Sequence, residues 1–215
     1  MCGIAGLIWK GGVTSDIGSE MTQMLQALKH RGPDSTGFAL YGKGEEGVYI
    51  LRFKVAEQED MRTGFDIHKQ VITRKAEVDT RLEEMGADVI KKEDATEYAF
   101  RYHFKFGGDL KRLIDFIEDI EGVEILSVGK GLELIKDLGD AAIVSEHYVL
   151  NGFVGTHAIG HTRMATESDV YIRSANPYWA YPFNDVSVVH NGQLTNYWTN
   201  RRDLERRGHR FMSNC

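Results

Sequence analysis

The stretch Met1-Cys2-Gly3-Ile4-Ala5-Gly6-Leu7-Ile8 decides how the rest of the chain is read. Cysteine is small, so its place directly after the initiator methionine predicts that the methionine is removed. The chain then begins with a thiol and a free α-amine on one Cα, a nucleophile beside a base whose ordinary pKa is about 8. Two readings are open from these residues alone. Cys2 is either an acyl-transfer nucleophile or a small buried residue that opens a strand.

Outward from Cys2, the run from Gly3 to Trp9 reads as a buried strand stopped by Lys10-Gly11-Gly12. Ile17, Met21, Met24, Leu25 and Leu28 recur at helical spacing and predict a helix over 19–30. His30-Arg31-Gly32-Pro33-Asp34-Ser35 stops it, and a strand resumes at Thr36. Gly42-Lys43-Gly44-Glu45-Glu46-Gly47 is a polar, glycine-rich connector, after which the chain is more charged. A boundary is placed here, giving three expected segments: a core over 1–44, an α/β insertion of unknown role over 45–149, and the rest of the core over 150–215.

Within the insertion the patterning predicts a strand over 48–55, helical segments over 58–85, a strand over 98–106 and an amphipathic helix around Leu110 to Ile117. A strand over 123–128 and a helix over 132–138 follow, and the charged run Lys91-Lys92-Glu93-Asp94 reads as a solvated face. After the insertion, Val186 to His190 reads as a strand entering the turn Asn191-Gly192, where both residues tolerate positive φ. A charged helix over 196–207 and a strand start over 210–213 close the chain.

Composition narrows the function classes. The 215 residues, 42% hydrophobic and 27% charged, suit one large domain carrying an insertion. A net charge of −6 gives no reason to expect nucleic acid or an anionic membrane as partner. No apolar stretch is long enough to span a bilayer and no secretion signal precedes Cys2. Cys2 and Cys215, at opposite ends, do not make a disulfide framework. A cytoplasmic protein with reduced thiols is expected.

Four motifs occur together: Met1-Cys2-Gly3-Ile4, Arg31-Gly32-Pro33-Asp34-Ser35-Thr36-Gly37, Gly160-His161-Thr162-Arg163-Met164-Ala165-Thr166 and Val189-His190-Asn191-Gly192. In this order they resemble the class II glutamine amidotransferases, which are N-terminal nucleophile hydrolases. The resemblance covers 1–44 and about 150–215, and is closest to the glutaminase-type subunit of archaeal-type split glutamate synthase. It implies an α+β fold, a four-layer αββα sandwich of the N-terminal nucleophile hydrolase type with a small α/β insertion. It also implies hydrolysis of L-glutamine to glutamate and ammonia through a Cys2 thioester. The partner implied is a synthase subunit receiving the ammonia, of the flavin and iron–sulfur glutamate synthase type. The chain itself carries no cysteine cluster and no Gly-x-Gly-x-x-Gly segment in a βαβ context, so neither a cofactor nor a metal is expected in it.

By the same resemblance each motif has a role. The thiolate of Cys2 attacks the amide carbonyl, with its own α-amine as base. The side-chain amide of Asn191 and the backbone N–H of Gly192 form the oxyanion hole. Arg163 takes the glutamine α-carboxylate in a bidentate fork, and Thr166 adds a hydrogen bond nearby. Arg31 orders the loop around Cys2 or, alternatively, pairs with Asp34. His161 and His190 are expected to be satisfied structural histidines.

Met164 and Glu167 stand where relatives often have tryptophan and histidine. The family places the acidic residue that binds the glutamine ammonium just beyond the strand containing Phe211, and the sequence stops at Cys215. The sandwich and its pocket are therefore expected to be incomplete at the C-terminus. Two other readings stay open: an amidotransferase for a different acceptor, and a catalytically quiet regulatory or scaffold subunit.

Overall fold

The computed structural model describes residues 2–63, 66–164, 172–192, 194–209 and 211. In chain order its elements are β1 (Gly3–Ile8), β2 (Ser15–Asp16), α1 (Ile17–Ala27), β3 (Ser35–Gly42), β4 (Val48–Lys54), α2 (Gln58–Thr63), α3 (Ile67–Glu84) and β5 (Asp88–Asp94). There follow β6 (Ala99–Lys105), α4 (Leu110–Glu118), β7 (Glu124–Gly129), β8 (Leu132–Leu138), α5 (Ala141–His147), β9 (Val154–Arg163), β10 (Tyr178–Trp179), β11 (Ser187–Val188) and α6 (Tyr197–Arg206).

The apolar run after Cys2 becomes β1, an edge strand of an antiparallel sheet ordered β1-β9-β3-β8, with β2 also on β9. Helix α1 starts where the Asp16 side chain accepts the Ser19 N–H at 3.0 Å, satisfying one of the free donors of the first turn. Its fully buried face, Ile17, Met21 and Leu25, lies on β9. The close approach requires Gly160, since a Cβ there would stand 2.6 Å from Leu25 Cδ1. Helix α5, capped by Asp140, packs beside α1 on the same side.

The second sheet is ordered β5-β6-β4-β7, with all neighbours antiparallel. Its connectivity, β4-α3-β5-β6-α4-β7, is a split βαβ arrangement. Leu51 and Phe53 of β4, with Phe100, Tyr102 and Phe104 of β6, share a core with Val78 and Leu82 of α3 and Leu113, Ile114 and Ile117 of α4. The molecule is thus α+β, with helices packed on antiparallel sheets, as expected.

Residues 132–138 form β8 rather than the helix expected there. They pair with β3 from Ser35↔Leu138 to Tyr41↔Leu132. The reason lies in charge compensation. Glu133 is 2% exposed and accepts from Arg52 Nε at 2.8 Å and Arg101 Nε at 2.7 Å, while Lys136 lies 3.4 Å from Glu124. Charges spaced as on a helix are therefore buried in a strand, each against a partner distant in sequence. Strand β8 falls inside the span 45–149 expected as an insertion, yet it belongs to the sheet of β1, β3 and β9. The part that forms a sheet of its own is 48–129.

The run Lys91-Lys92-Glu93-Asp94 is largely solvated, as expected, but lies in β5, an edge strand not anticipated. The strand expected over 210–213 falls outside the described residues except for Phe211, which is in no strand.

Candidate active site

Strand pairing collects the first three motifs. Gly3 pairs with Thr162 and Ser35 with Arg163, so the start of β1, the start of β3 and the end of β9 share one end of the first sheet. Cys2 stands at that end, half-buried. Gly32 makes the convergence possible: a Cβ there would lie 2.4 Å from the Arg163 carbonyl carbon. The Asp34 N–H then donates to Arg163 O at 3.1 Å, tying the Arg-Gly-Pro-Asp loop to the end of β9.

Among the described residues four groups meet Cys2, one of them the Met164 carbonyl, to which the thiol donates at 3.8 Å. The Met164 N–H points at Cys2 Sγ at 3.4 Å, a donor suited to a thiolate. Arg31 Nε donates to Cys2 O at 3.1 Å, which places Arg31 at the Cys2 backbone. Asn191 Nδ2 donates to the same carbonyl at 3.0 Å, across 189 residues of sequence. A side-chain amide has two N–H donors, so this bond leaves a second one available. Asn191 and Gly192 are exposed, and the preceding His190 is fixed by its N–H donating to Asn176 Oδ1 at 3.1 Å.

Arg163, 8% exposed, is at the Cys2 end of β9. Thr166 lies outside the described residues, as does Met1. Of the two histidines expected to be satisfied and structural, His190 is exposed. His161 is 2% exposed, but neither ring nitrogen has a hydrogen-bond partner. Burial, with the Arg163 charge beside it, pushes its pKa down to about 4, so the imidazole is neutral at pH 7. Sequence reasoning missed the Met164 N–H and Asn176: backbone donors carry no residue signature, and Asn176-Pro177 reads only as the middle of a loop.

A cleft of about 560 Å³ lies elsewhere, where the helix-free face of the second sheet (Arg52, Arg101, His103) meets Gly42 and the turn before β9. Gly42 pairs with Gly155, at the far end of β3 and β9 from Cys2, so the cleft is not part of the converging motifs. Among the described residues, no group of three or more His, Cys, Asp or Glu is placed to hold a metal ion, and no helix is long and apolar enough to cross a membrane.

No protein-family model matches the chain. Individual relatives do. A Methanothermobacter thermautotrophicus protein named as a candidate glutamine amidotransferase is 40% identical over 218 residues, covering 100% of this chain and 68% of its own length. The glutamine amidotransferase-like protein GlxB of Rhizobium meliloti is 31% identical, covering 98% of this chain and 65% of its own length. The chain thus spans about two thirds of the length of these relatives. Shorter matches reach other enzymes. An Arabidopsis thaliana chloroplastic amidophosphoribosyltransferase is 37% identical over 94 residues, 42% of this chain and 17% of the enzyme. An Aeropyrum pernix glutamine–fructose-6-phosphate aminotransferase is 37% identical over 108 residues, 48% of this chain and 17% of the enzyme. With the motifs gathered around Cys2 and a relative 40% identical along the whole of this chain and 68% of its own length, the chain belongs to the class II glutamine amidotransferases.

Proposed function

We propose that the protein hydrolyses L-glutamine through a thioester on Cys2 and passes the ammonia to a synthase partner, with a glutamate synthase of the flavin and iron–sulfur type as the acceptor. The observation that carries this reading is the meeting of Asn191 Nδ2 and Arg31 on the Cys2 carbonyl, with the Met164 N–H on its sulfur.

In the proposed sequence the Cys2 α-amine takes the thiol proton and the thiolate attacks the carboxamide carbon of glutamine. Negative charge gathers on the former carbonyl oxygen. The second N–H of Asn191 and the Gly192 N–H supply fixed donors for it. Collapse breaks the C–N bond, the α-ammonium returns its proton to the nitrogen, and ammonia leaves. Water, deprotonated by the same amine, then attacks the thioester through a second oxyanion, releasing glutamate and regenerating the thiol. Ammonia in bulk water at pH 7 is largely protonated and no longer nucleophilic, so delivery favours a docked acceptor.

Arg163 is the proposed partner of the glutamine α-carboxylate. Its expected effect is on substrate binding. Arg163→Met should raise KM for glutamine on the order of 10- to 100-fold, as expected for a charge-assisted pair worth about 1.5–3 kcal/mol, with a smaller change in kcat. Steady-state ammonia release across a glutamine titration reads this directly. An unchanged KM removes Arg163 from the substrate site.

A further inference from the structure

The segment 172–190, which leads into Asn191-Gly192, is held from several sides. Asn176 O lies over Gly37 of β3, where a Cβ would be 2.1 Å away, and Tyr41 OH bonds to Ser187 Oγ at 2.7 Å. Lys136 of β8 also donates to Arg173 O at 3.4 Å, and further grips come from the second sheet, its helix α4 and its exit. Arg173 Nε is 3.7 Å from Glu124 at the start of β7. Tyr181 OH donates to Asp115 of α4. At Asp185, one carboxylate oxygen, Oδ1, accepts three consecutive backbone N–H groups, Lys130 at 2.9 Å, Gly131 at 2.8 Å and Leu132 at 2.8 Å. These residues are the link by which the chain leaves β7 and enters β8.

Two features show that the local backbone is fitted to this contact. Gly129 leaves room for it, because a Cβ there would stand 2.6 Å from Asp185 Oδ1. Asp185 has φ of 56°, in the left-handed region that asparagine and aspartate tolerate best among side-chain-bearing residues. Three charge-assisted bonds hold it there.

We propose that Asp185 is a positioning residue for the oxyanion donors: it fastens the segment ending in Asn191-Gly192 to the β7–β8 link, so that the sheet over 48–129 serves as the buttress of the oxyanion turn. This rests on the proposed glutaminase reading. A fixed donor stabilises a developing charge only where it is held in place before reaction, and displacement of about 1 Å at a reacting centre costs on the order of 100-fold in rate. Asp185 touches neither Cys2 nor, in this proposal, substrate. It acts through residues 186–190.

The test compares the full-length protein with Asp185→Ala and Asp185→Asn by three readouts: steady-state glutamine hydrolysis, amide hydrogen exchange over 186–192, and the alkylation rate of Cys2 by iodoacetamide, which needs no oxyanion hole. Asp185→Ala is expected to lower kcat about 10- to 100-fold, with KM within about 3-fold, faster exchange over 186–192 and unchanged alkylation. Asp185→Asn keeps an oxygen acceptor and should recover to within about 3-fold of the parent, and it remains informative if the alanine variant folds poorly. Unchanged kcat in the face of lost thermal stability makes the contact merely structural and overturns the proposal, as does unchanged exchange. If the parent protein alkylates at Cys2 but does not hydrolyse glutamine, the glutaminase reading fails, and the exchange comparison alone decides whether Asp185 holds the turn.

Discussion

Asn191→Ala should reduce glutamine hydrolysis by roughly 100- to 1,000-fold while leaving the melting temperature nearly unchanged. Removing one oxyanion donor costs about 3 kcal/mol of barrier, because the charge it meets exists only in the transition state and its replacement by water requires reorganisation. The folded protein loses far less. Asn191 is exposed, and the bond it gives up, to Cys2 O at 3.0 Å, lies at the surface, where substitutions change stability by about 0.5 kcal/mol or less. If Asn191-Gly192 is only a turn, the pattern reverses: stability falls and rate survives. Asn191→Asp sharpens the comparison, since it preserves shape but places a carboxylate where the oxyanion must form. Its rate should be no better than that of Asn191→Ala. Turnover measured beside a thermal melt on the same preparations separates the two accounts.

The second large effect concerns stability. Glu124 is 3% exposed, with Lys54 at 3.0 Å, Lys136 at 3.4 Å and Arg173 at 3.7 Å. Burial alone would raise its carboxyl, but Lys136 and Lys54, with Arg173, hold it down at about 2. Glu124→Gln removes the negative charge and leaves two lysines, 2% and 4% exposed, facing each other with less compensation. Breaking a buried pair in this way costs about 3–5 kcal/mol, a fall in melting temperature of roughly 10 °C for a chain of this size. The pH dependence follows from the direction of the shift. A carboxyl depressed in the folded state contributes its full stabilisation above its unfolded pKa of about 4.5, and that contribution is lost as pH falls toward about 2. The acid limb of the stability curve should therefore be shallower in Glu124→Gln over that window. Pairing the change with Lys136→Met should recover much of the loss, as apolar replacement of buried ion pairs often does. A melt unchanged by Glu124→Gln would show that the cluster is hydrated rather than buried.

The difference between what could and could not be read from sequence follows from where the partners of each residue lie. The start of β1 and the helix face of Ile17, Met21 and Leu25 depend on neighbours within a few residues, so their period announces them. The Asn191-Gly192 step reads in sequence as a positive-φ turn after a strand over 186–190, yet neither residue has positive φ and the strand is only Ser187–Val188. Helix α1 begins two residues before the predicted start because Asp16, not a residue nearer Ser19, supplies the cap. Strand β8 was illegible for the opposite reason. Glu133, Lys136 and Asp137 are each 4% exposed or less, and their partners Arg52, Arg101, Glu124 and Tyr98 lie far away in sequence. Charges that a sequence reading assigns to water are in fact met across two sheets.

At the site, motifs name Cys2, Arg31, Arg163 and Asn191; strand register explains why the first three motifs converge, and Asn191 joins them through its bond to Cys2 O. The Met164 N–H and the orphaned ring of His161 depend on burial and backbone direction, which no residue pattern records. Asp185 belongs with them: an acidic residue in a loop reads as solvated until the three amides of the β7–β8 link are seen around it.

The most direct test of the account is one mass spectrum. The full-length protein is incubated with a glutamine analogue bearing a diazoketone in place of the carboxamide, and its intact mass is measured. The account predicts a chain lacking Met1 and carrying a single adduct, absent in Cys2→Ala and suppressed by excess glutamine. A chain that retains Met1, whose α-amine is then no longer on Cys2, or one whose Cys2 stays unmodified, contradicts an N-terminal nucleophile acting on glutamine.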